Sequence, residues 1–182
     1  MSSNSFLYRQ TPNLITIARI LFVPLVIFLL VSQWESILGR VAALLLFVLA
    51  ASTDGIDGAI ARKRNVISNL GKLLDPIADK ALLSGALVTL SIMNQVSWWA
   101  TGLILIRELG ITIWRLAIAN RKVVAASGGG KLKTVIQIVA ISLVIAPFDF
   151  LGAWYLTFTD IGIWIAVAVT VVTGLQYLRA LK

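Results

Sequence analysis

Six apolar stretches divide this chain, at approximately 13–33, 38–61, 72–93, 98–120, 132–148 and 158–178. Crossing about 30 Å of hydrocarbon takes about 20 helical residues, and each stretch is near that length. The expectation is an all-α integral membrane protein of six spanning helices, forming one domain over residues 1–182. Composition agrees. A soluble domain is about 45–50% apolar and about 25% charged; here 59% of residues are hydrophobic and 13% charged. Only a surface that faces lipid tolerates that balance. Before the first span, Phe6, Leu7 and Tyr8 precede the breaker Pro12. Residues 2–10 therefore form either a short interfacial helix or a frayed end. The first span is too long for a signal-peptide core, and no small-residue cleavage site follows it.

The absent residue types narrow the chemistry. There is no cysteine and no histidine, which removes disulfides, thiolate sites, zinc–imidazole sites and every imidazole base. A metal here must be hard and oxygen-ligated. The net charge of +8 does not indicate nucleic acid, because the basic residues cap apolar segments instead of lining one polar face. Arg62, Lys63, Arg64 and Lys72 mark one connection, Arg121, Lys122, Lys131 and Lys133 another, and Arg9, Arg179 and Lys182 the two ends. The alternate connections hold Glu35 with Arg40, no charge around Asn94, and Asp149 with Asp160. The positive-inside rule then places both termini and both basic connections in the cytoplasm, as six spans require.

Four of the eight acidic residues fall between Asp54 and Asp79. Asp54 and Asp57 share a helix face, as do Asp75 and Asp79. A turn of about ten residues would make their helices antiparallel neighbours, with both pairs converging at the cytoplasmic end. Two unit charges at 4 Å repel by about 4 kcal/mol at an effective dielectric of 20. Each charge in a membrane helix costs about 2.5–3.5 kcal/mol more. One or two divalent ions would relieve both costs and would also grip a pyrophosphate. Gly58 and Gly71 let a nucleotide approach the backbone, and Arg62 suits a phosphate oxygen. The plainer alternative is a set of packing or cavity aspartates.

Asp54, Asp57, Gly58, Ala61, Arg62, Gly71, Asp75 and Asp79 occupy every fixed position of D-x2-D-G-x2-A-R-x8-G-x3-D-x3-D. That pattern resembles the signature of the CDP-alcohol phosphatidyltransferase family, and the six-helix framework resembles the family over essentially the whole chain. The resemblance implies a cytoplasm-facing site with two Mg2+ or Mn2+ ions in a protein that is commonly a homodimer. It implies that Asp54, Asp57 and Asp75 are metal ligands. Asp79 would stand beside the metal as general base for the acceptor hydroxyl. Gly58, Arg62, Ser68 and Gly71 would contact the CDP-lipid, and Asn13 and Thr16, in the segment from Pro12 to Arg19, would lie near the cytidine phosphates.

The acceptor must be read elsewhere. Arg107 and Glu108 sit inside the fourth span, where an arginine needs a polar cavity or an acidic partner. Gly128, Gly129 and Gly130 followed by Lys131 and Lys133 open the fifth, where free backbone amides and cations suit an anion; the plainer reading is loop charge. Together, R-E-x-G-I-T and G-K-L-K-T resemble the bacterial branch of the family whose acceptor is sn-glycerol 3-phosphate. Arg107, Lys131 and Lys133 are then the expected acceptor-phosphate contacts and CDP-diacylglycerol the donor. The same chemistry on inositol phosphate or phosphatidylglycerol stays open. A cation transporter is the rival from another class, although transporters usually show repeated halves and midplane acids.

Overall fold

Helices account for nearly all of the chain that the computed structural model describes, which is the backbone at 20–64, 69–118 and 129–179 and the side chains at 20–52, 80–114, 132–177 and 179. Their order is α1 (Ile20–Ser32), α2 (Ile37–Arg64), α3 (Asn69–Ile92), α4 (Trp98–Ile118), α5 (Gly129–Ile145), a short 3-10 turn (Asp149–Leu151) and α6 (Ala153–Arg179). The chain divides into two compact units, Met1–Ala86 and Leu87–Lys182.

In the first unit, α1 turns into α2 within a few residues. Ser36 caps α2: its Oγ accepts from the Gly39 amide at 3.2 Å, satisfying one of the free donors of the first turn. The turn is tight enough to require glycine at 39, because a Cβ there would overlap the Gln33 side chain and stand 2.8 Å from the Gln33 carbonyl oxygen. The buried Arg40 lays its guanidinium over Trp34, 4.2 Å from the ring centroid. Gly85 of α3 packs against α1, where an added Cβ would meet Ile27 Cδ1 at 3.2 Å and Val23 Cγ1 at 3.4 Å. Val26, Leu30, Ala43, Phe47, Ala50 and Leu82 are buried in the same unit.

In the second unit, α3 ends in a Schellman cap. The Gln95 amide bonds to the Leu90 carbonyl at 2.8 Å and the Asn94 amide to Ser91 at 3.1 Å, with Asn94 left-handed at φ 60°. Ser91 Oγ and Thr101 Oγ1, 2.7 Å apart and buried, then clasp α3 to α4. Pro147 sets the end of α5. It lacks an amide donor and disfavours helix at the residue before it, so α5 stops at Ile145 and does not run to 148 as the apolar pattern predicts. The chain re-enters helix through Gly152 at φ 85°, a conformation natural to glycine. Tyr155 of α6 donates its hydroxyl to the Leu143 carbonyl at 2.7 Å and meets the Phe148 ring edge-on. Helix α6 packs against both α4 and α5, with Ile104, Ile141, Ile145, Ile163 and Ala166 buried.

Large apolar side chains also cover the outside: Leu21, Phe28, Trp99, Ile106, Trp154 and Ile165 are all exposed. A water-facing surface does not carry so much apolar area, whereas a lipid-facing one requires it. Among the described residues, one stretch, Ala153–Tyr177, is both long and apolar enough to cross a bilayer, and most of it is not buried by the rest of the protein. Ile20–Ser32, Ile37–Ser52, Lys80–Ile92 and Leu132–Ile145 are shorter apolar helical stretches.

Candidate active site

The signature lies on two helices. Asp54, Asp57, Gly58, Ala61 and Arg62 belong to one uninterrupted helix, α2, which continues to Arg64. Gly71, Asp75 and Asp79 belong to α3, which begins at Asn69. Both helices run further toward each other in sequence than the apolar pattern suggests. The turn of about ten residues expected between them is therefore corrected: Arg62, Lys63, Arg64 and Lys72 are helical. In α2 the reason is that Arg62, Lys63 and Arg64 are good helix formers, so that helix outlasts its apolar stretch. Helical spacing keeps each aspartate pair on one face of its own helix. Pro76, between Asp75 and Asp79, sits inside α3 without an amide to give, a helix-weakening residue at the heart of the signature.

The side chains of Asp54, Asp57, Arg62, Asp75, Asp79 and Lys131 lie outside the described residues, as do Asn13, Thr16 and Ser68 altogether. Among the described residues no group of three or more acidic side chains is placed to hold a metal.

The second unit brings two of the expected acceptor contacts together. Arg107 and Glu108 come from the middle of α4, and Lys133 from the first turns of α5. Arg107 Nη1 donates to Glu108 Oε1 at 3.0 Å, and Lys133 Nζ forms an ion pair with the same oxygen. Glu108 and Lys133 are buried. The arginine thus has the acidic partner that an intramembrane cation needs, and the lysine shares it. Taking charges out of water costs several kcal/mol per ion even after relaxation, so such a cluster is weak evidence of stabilisation.

Helix α6 completes the arrangement with residues that sequence reasoning missed. Thr173 Oγ1 accepts from Arg107 Nη2 at 3.3 Å. Gln137, on the same α5 face as Lys133, donates to Thr170 Oγ1 at 2.8 Å, and both are fully buried. Arg107, Glu108, Lys133, Gln137, Thr170 and Thr173 form a group of polar residues shared by α4, α5 and α6. The available signal was periodic: Lys133 and Gln137 are four apart, Thr170 and Thr173 three apart.

An all-helical chain with lipid-facing apolar surface, two aspartate-bearing helices and a buried basic cluster is thereby placed in a class. Residues 9–172 match the CDP-alcohol phosphatidyltransferase family, and the chain belongs to it. The family is membrane-associated and generally depends on a divalent metal. Among its relatives, the chain is similar to the CDP-diacylglycerol–glycerol-3-phosphate 3-phosphatidyltransferase of Bacillus subtilis, 39% identical over 91% of this chain and 92% of that one. It is 40% identical to the enzyme of the same name from Rickettsia typhi, over 96% of this chain and 98% of that one. The Escherichia coli enzyme of that name is 33% identical, over 94% of each.

Proposed function

We propose that this chain transfers the phosphatidyl group of CDP-diacylglycerol to sn-glycerol 3-phosphate, giving phosphatidylglycerophosphate and CMP. The observation that carries this is the identity to relatives bearing that name, which runs through nearly the whole length of both chains. The complete eight-position signature supports the phosphatidyl transfer itself. Arg107 and Lys133 meeting at one carboxylate support an anionic acceptor over a neutral one. Because the family match runs through both compact units, they are read together as one catalytic domain.

The donor set fits the metal. Four carboxylates from two helices are hard oxygen ligands, the kind Mg2+ or Mn2+ takes. Asp54, Asp57, Asp75 and Asp79 would hold two such ions, which when bound supply positive charge to the pyrophosphate of the donor. Asn13, Thr16, Gly58, Arg62, Ser68 and Gly71 hold the CDP-lipid, the glycines by admitting it close to the backbone and Arg62 by charge. Arg107, Lys131 and Lys133 hold the acceptor's phosphate. Asp79 takes the proton from the acceptor hydroxyl as its oxygen attacks the phosphorus that carries diacylglycerol. A new P–O bond forms, the bond to the CMP phosphate breaks, and CMP leaves with the electron pair. In this reading six helices cross the cell membrane, both termini and the site are cytoplasmic, and two copies pair as a homodimer.

The test is release of CMP by the purified protein from CDP-diacylglycerol with a panel of acceptors: sn-glycerol 3-phosphate, inositol phosphate and phosphatidylglycerol. Turnover with the first, abolished by chelator, is the expected result. Asp79→Asn should retain CDP-lipid binding and lose turnover by about 10²–10⁴-fold, the range for a general base. Turnover with another acceptor alone would reassign the substrate. Metal flux across vesicles without CMP release would establish the transporter instead.

A further inference from the structure

Arg107 lies along α6 at Gly174. A Cβ built on Gly174 would stand 3.0 Å from Arg107 Cγ, 3.4 Å from Nε and 3.8 Å from Cδ. Any side chain there would push the arginine stem away from α6. Arg107 Nε is buried and has no hydrogen-bond partner, consistent with a guanidinium edge lying against a bare glycine. One residue earlier, Thr173 Oγ1 donates to the Val169 carbonyl at 2.7 Å. With its proton committed along its own helix, the hydroxyl presents a lone pair to Arg107 Nη2 at 3.3 Å. Glu108 takes one hydrogen of Nη1. A guanidinium has five N–H donors. Glu108 and Thr173 engage one on each Nη and Gly174 covers Nε, which leaves the second hydrogen of each Nη for a ligand.

We infer that Thr173 and Gly174 are positioning residues that set where Arg107 presents its free donors, so that α6 fixes the seat of the acceptor phosphate. This rests on the reading of Arg107 as an acceptor contact. Glycine at 174 sets the depth of the arginine stem against the helix, and the threonine hydroxyl sets the rotation of the guanidinium. A planar fork binds phosphate well only when its orientation is fixed in advance. Displacing it by a fraction of an ångström therefore weakens the acceptor without touching the donor.

The experiment measures acceptor and donor KM by CMP release for Gly174→Ala, Thr173→Val, Thr173→Ser, Arg107→Ala and the double variant Arg107→Ala/Gly174→Ala. Gly174→Ala and Thr173→Val should each raise the KM for sn-glycerol 3-phosphate about tenfold and leave that for CDP-diacylglycerol within about twofold. Thr173→Ser keeps the hydroxyl and should restore the native acceptor KM. In the Arg107→Ala background, Gly174→Ala should add nothing, because the side chain it displaces is gone. A purely structural glycine would instead cost the same in both backgrounds. If Arg107→Ala leaves acceptor kinetics unchanged, the acceptor reading fails and this inference with it. If Arg107→Ala weakens the acceptor while Thr173→Val and Gly174→Ala do not, or Gly174→Ala adds to it in the double variant, the inference alone is overturned. Should Gly174→Ala not yield monodisperse protein, Thr173→Val against Thr173→Ser decides.

Discussion

Lys133 is an unusual residue to find buried, and it shares the Glu108 carboxylate with Arg107. An ammonium is a compact, strongly hydrated point charge on a flexible stem, so it acts on an anion by charge more than by a fixed geometry. Arg62, within the signature, belongs to the nucleotide side in this reading. The two should therefore separate kinetically. Losing a charge-assisted contact typically costs about 1.5–3 kcal/mol, or about 10–100-fold in affinity. Lys133→Ala should raise the KM for sn-glycerol 3-phosphate by that factor and Arg62→Ala that for CDP-diacylglycerol, each largely sparing the other substrate. Steady-state kinetics with each substrate varied in turn is the check, and an unchanged acceptor KM in Lys133→Ala would remove it from the acceptor contacts. The cations themselves were legible in the sequence, because a charge within an apolar run is conspicuous. Glu108 was legible beside Arg107, but the neighbours beyond it were not. Thr170, Thr173, Gly174 and Gln137 are unremarkable residue types in a membrane helix, and only the packing of α6 against α4 and α5 gives them a role.

At the scale of the elements, helix ends show where the apolar pattern informs and where it stops. The pattern locates all six helices, since burial and lipid exposure both demand apolar residues. It misplaces ends that depend on local chemistry: Pro147 cuts α5 short, Arg62, Lys63 and Arg64 prolong α2, and α3 begins at Asn69, three residues before Lys72. Caps are such local chemistry, and they carry a stability prediction. Asn94 holds φ 60° in the Schellman cap of α3, a region that costs most L-residues about 1–2 kcal/mol and β-branched ones more. Asn94→Val should lower the thermal midpoint of the detergent-solubilised protein, whereas Asn94→Gly should leave it level or raise it. A Val variant as stable as the Gly variant would mean that the cap does not form as described. Neither change touches the residues assigned to the reaction, so turnover at moderate temperature should survive in both.

At the scale of the whole molecule, the orientation proposed for the reaction rests on the charges of the connections. In the proposed reading CDP-lipid and CMP are cytoplasmic, so the signature should open on the side where Arg62, Lys63, Arg64 and Lys72 lie. The same side should hold Arg121, Lys122, Lys131 and Lys133, two helices further on. Between these basic stretches the chain passes through the uncharged cap at Asn94. Holding Lys and Arg on one face and leaving the opposite turn neutral is how a bundle of apolar helices fixes its direction of insertion. The natural chain has no cysteine, so single cysteines can be introduced without removing any. Asn65→Cys and Lys122→Cys should react with a membrane-impermeant maleimide only in inverted vesicles, and Asn94→Cys only from outside intact cells. The expectations for Asn65 and Lys122 follow from the basic stretches around them, and that for Asn94 from the uncharged turn between α3 and α4. External labelling at Asn65 would put the aspartates on the wrong side of the membrane from their nucleotide substrate, and the site assignment would fall with the topology. Labelling of Lys122 from outside, with Asn65 protected, would instead leave the signature in place and separate the acceptor lysines from it, overturning only their part in the reaction.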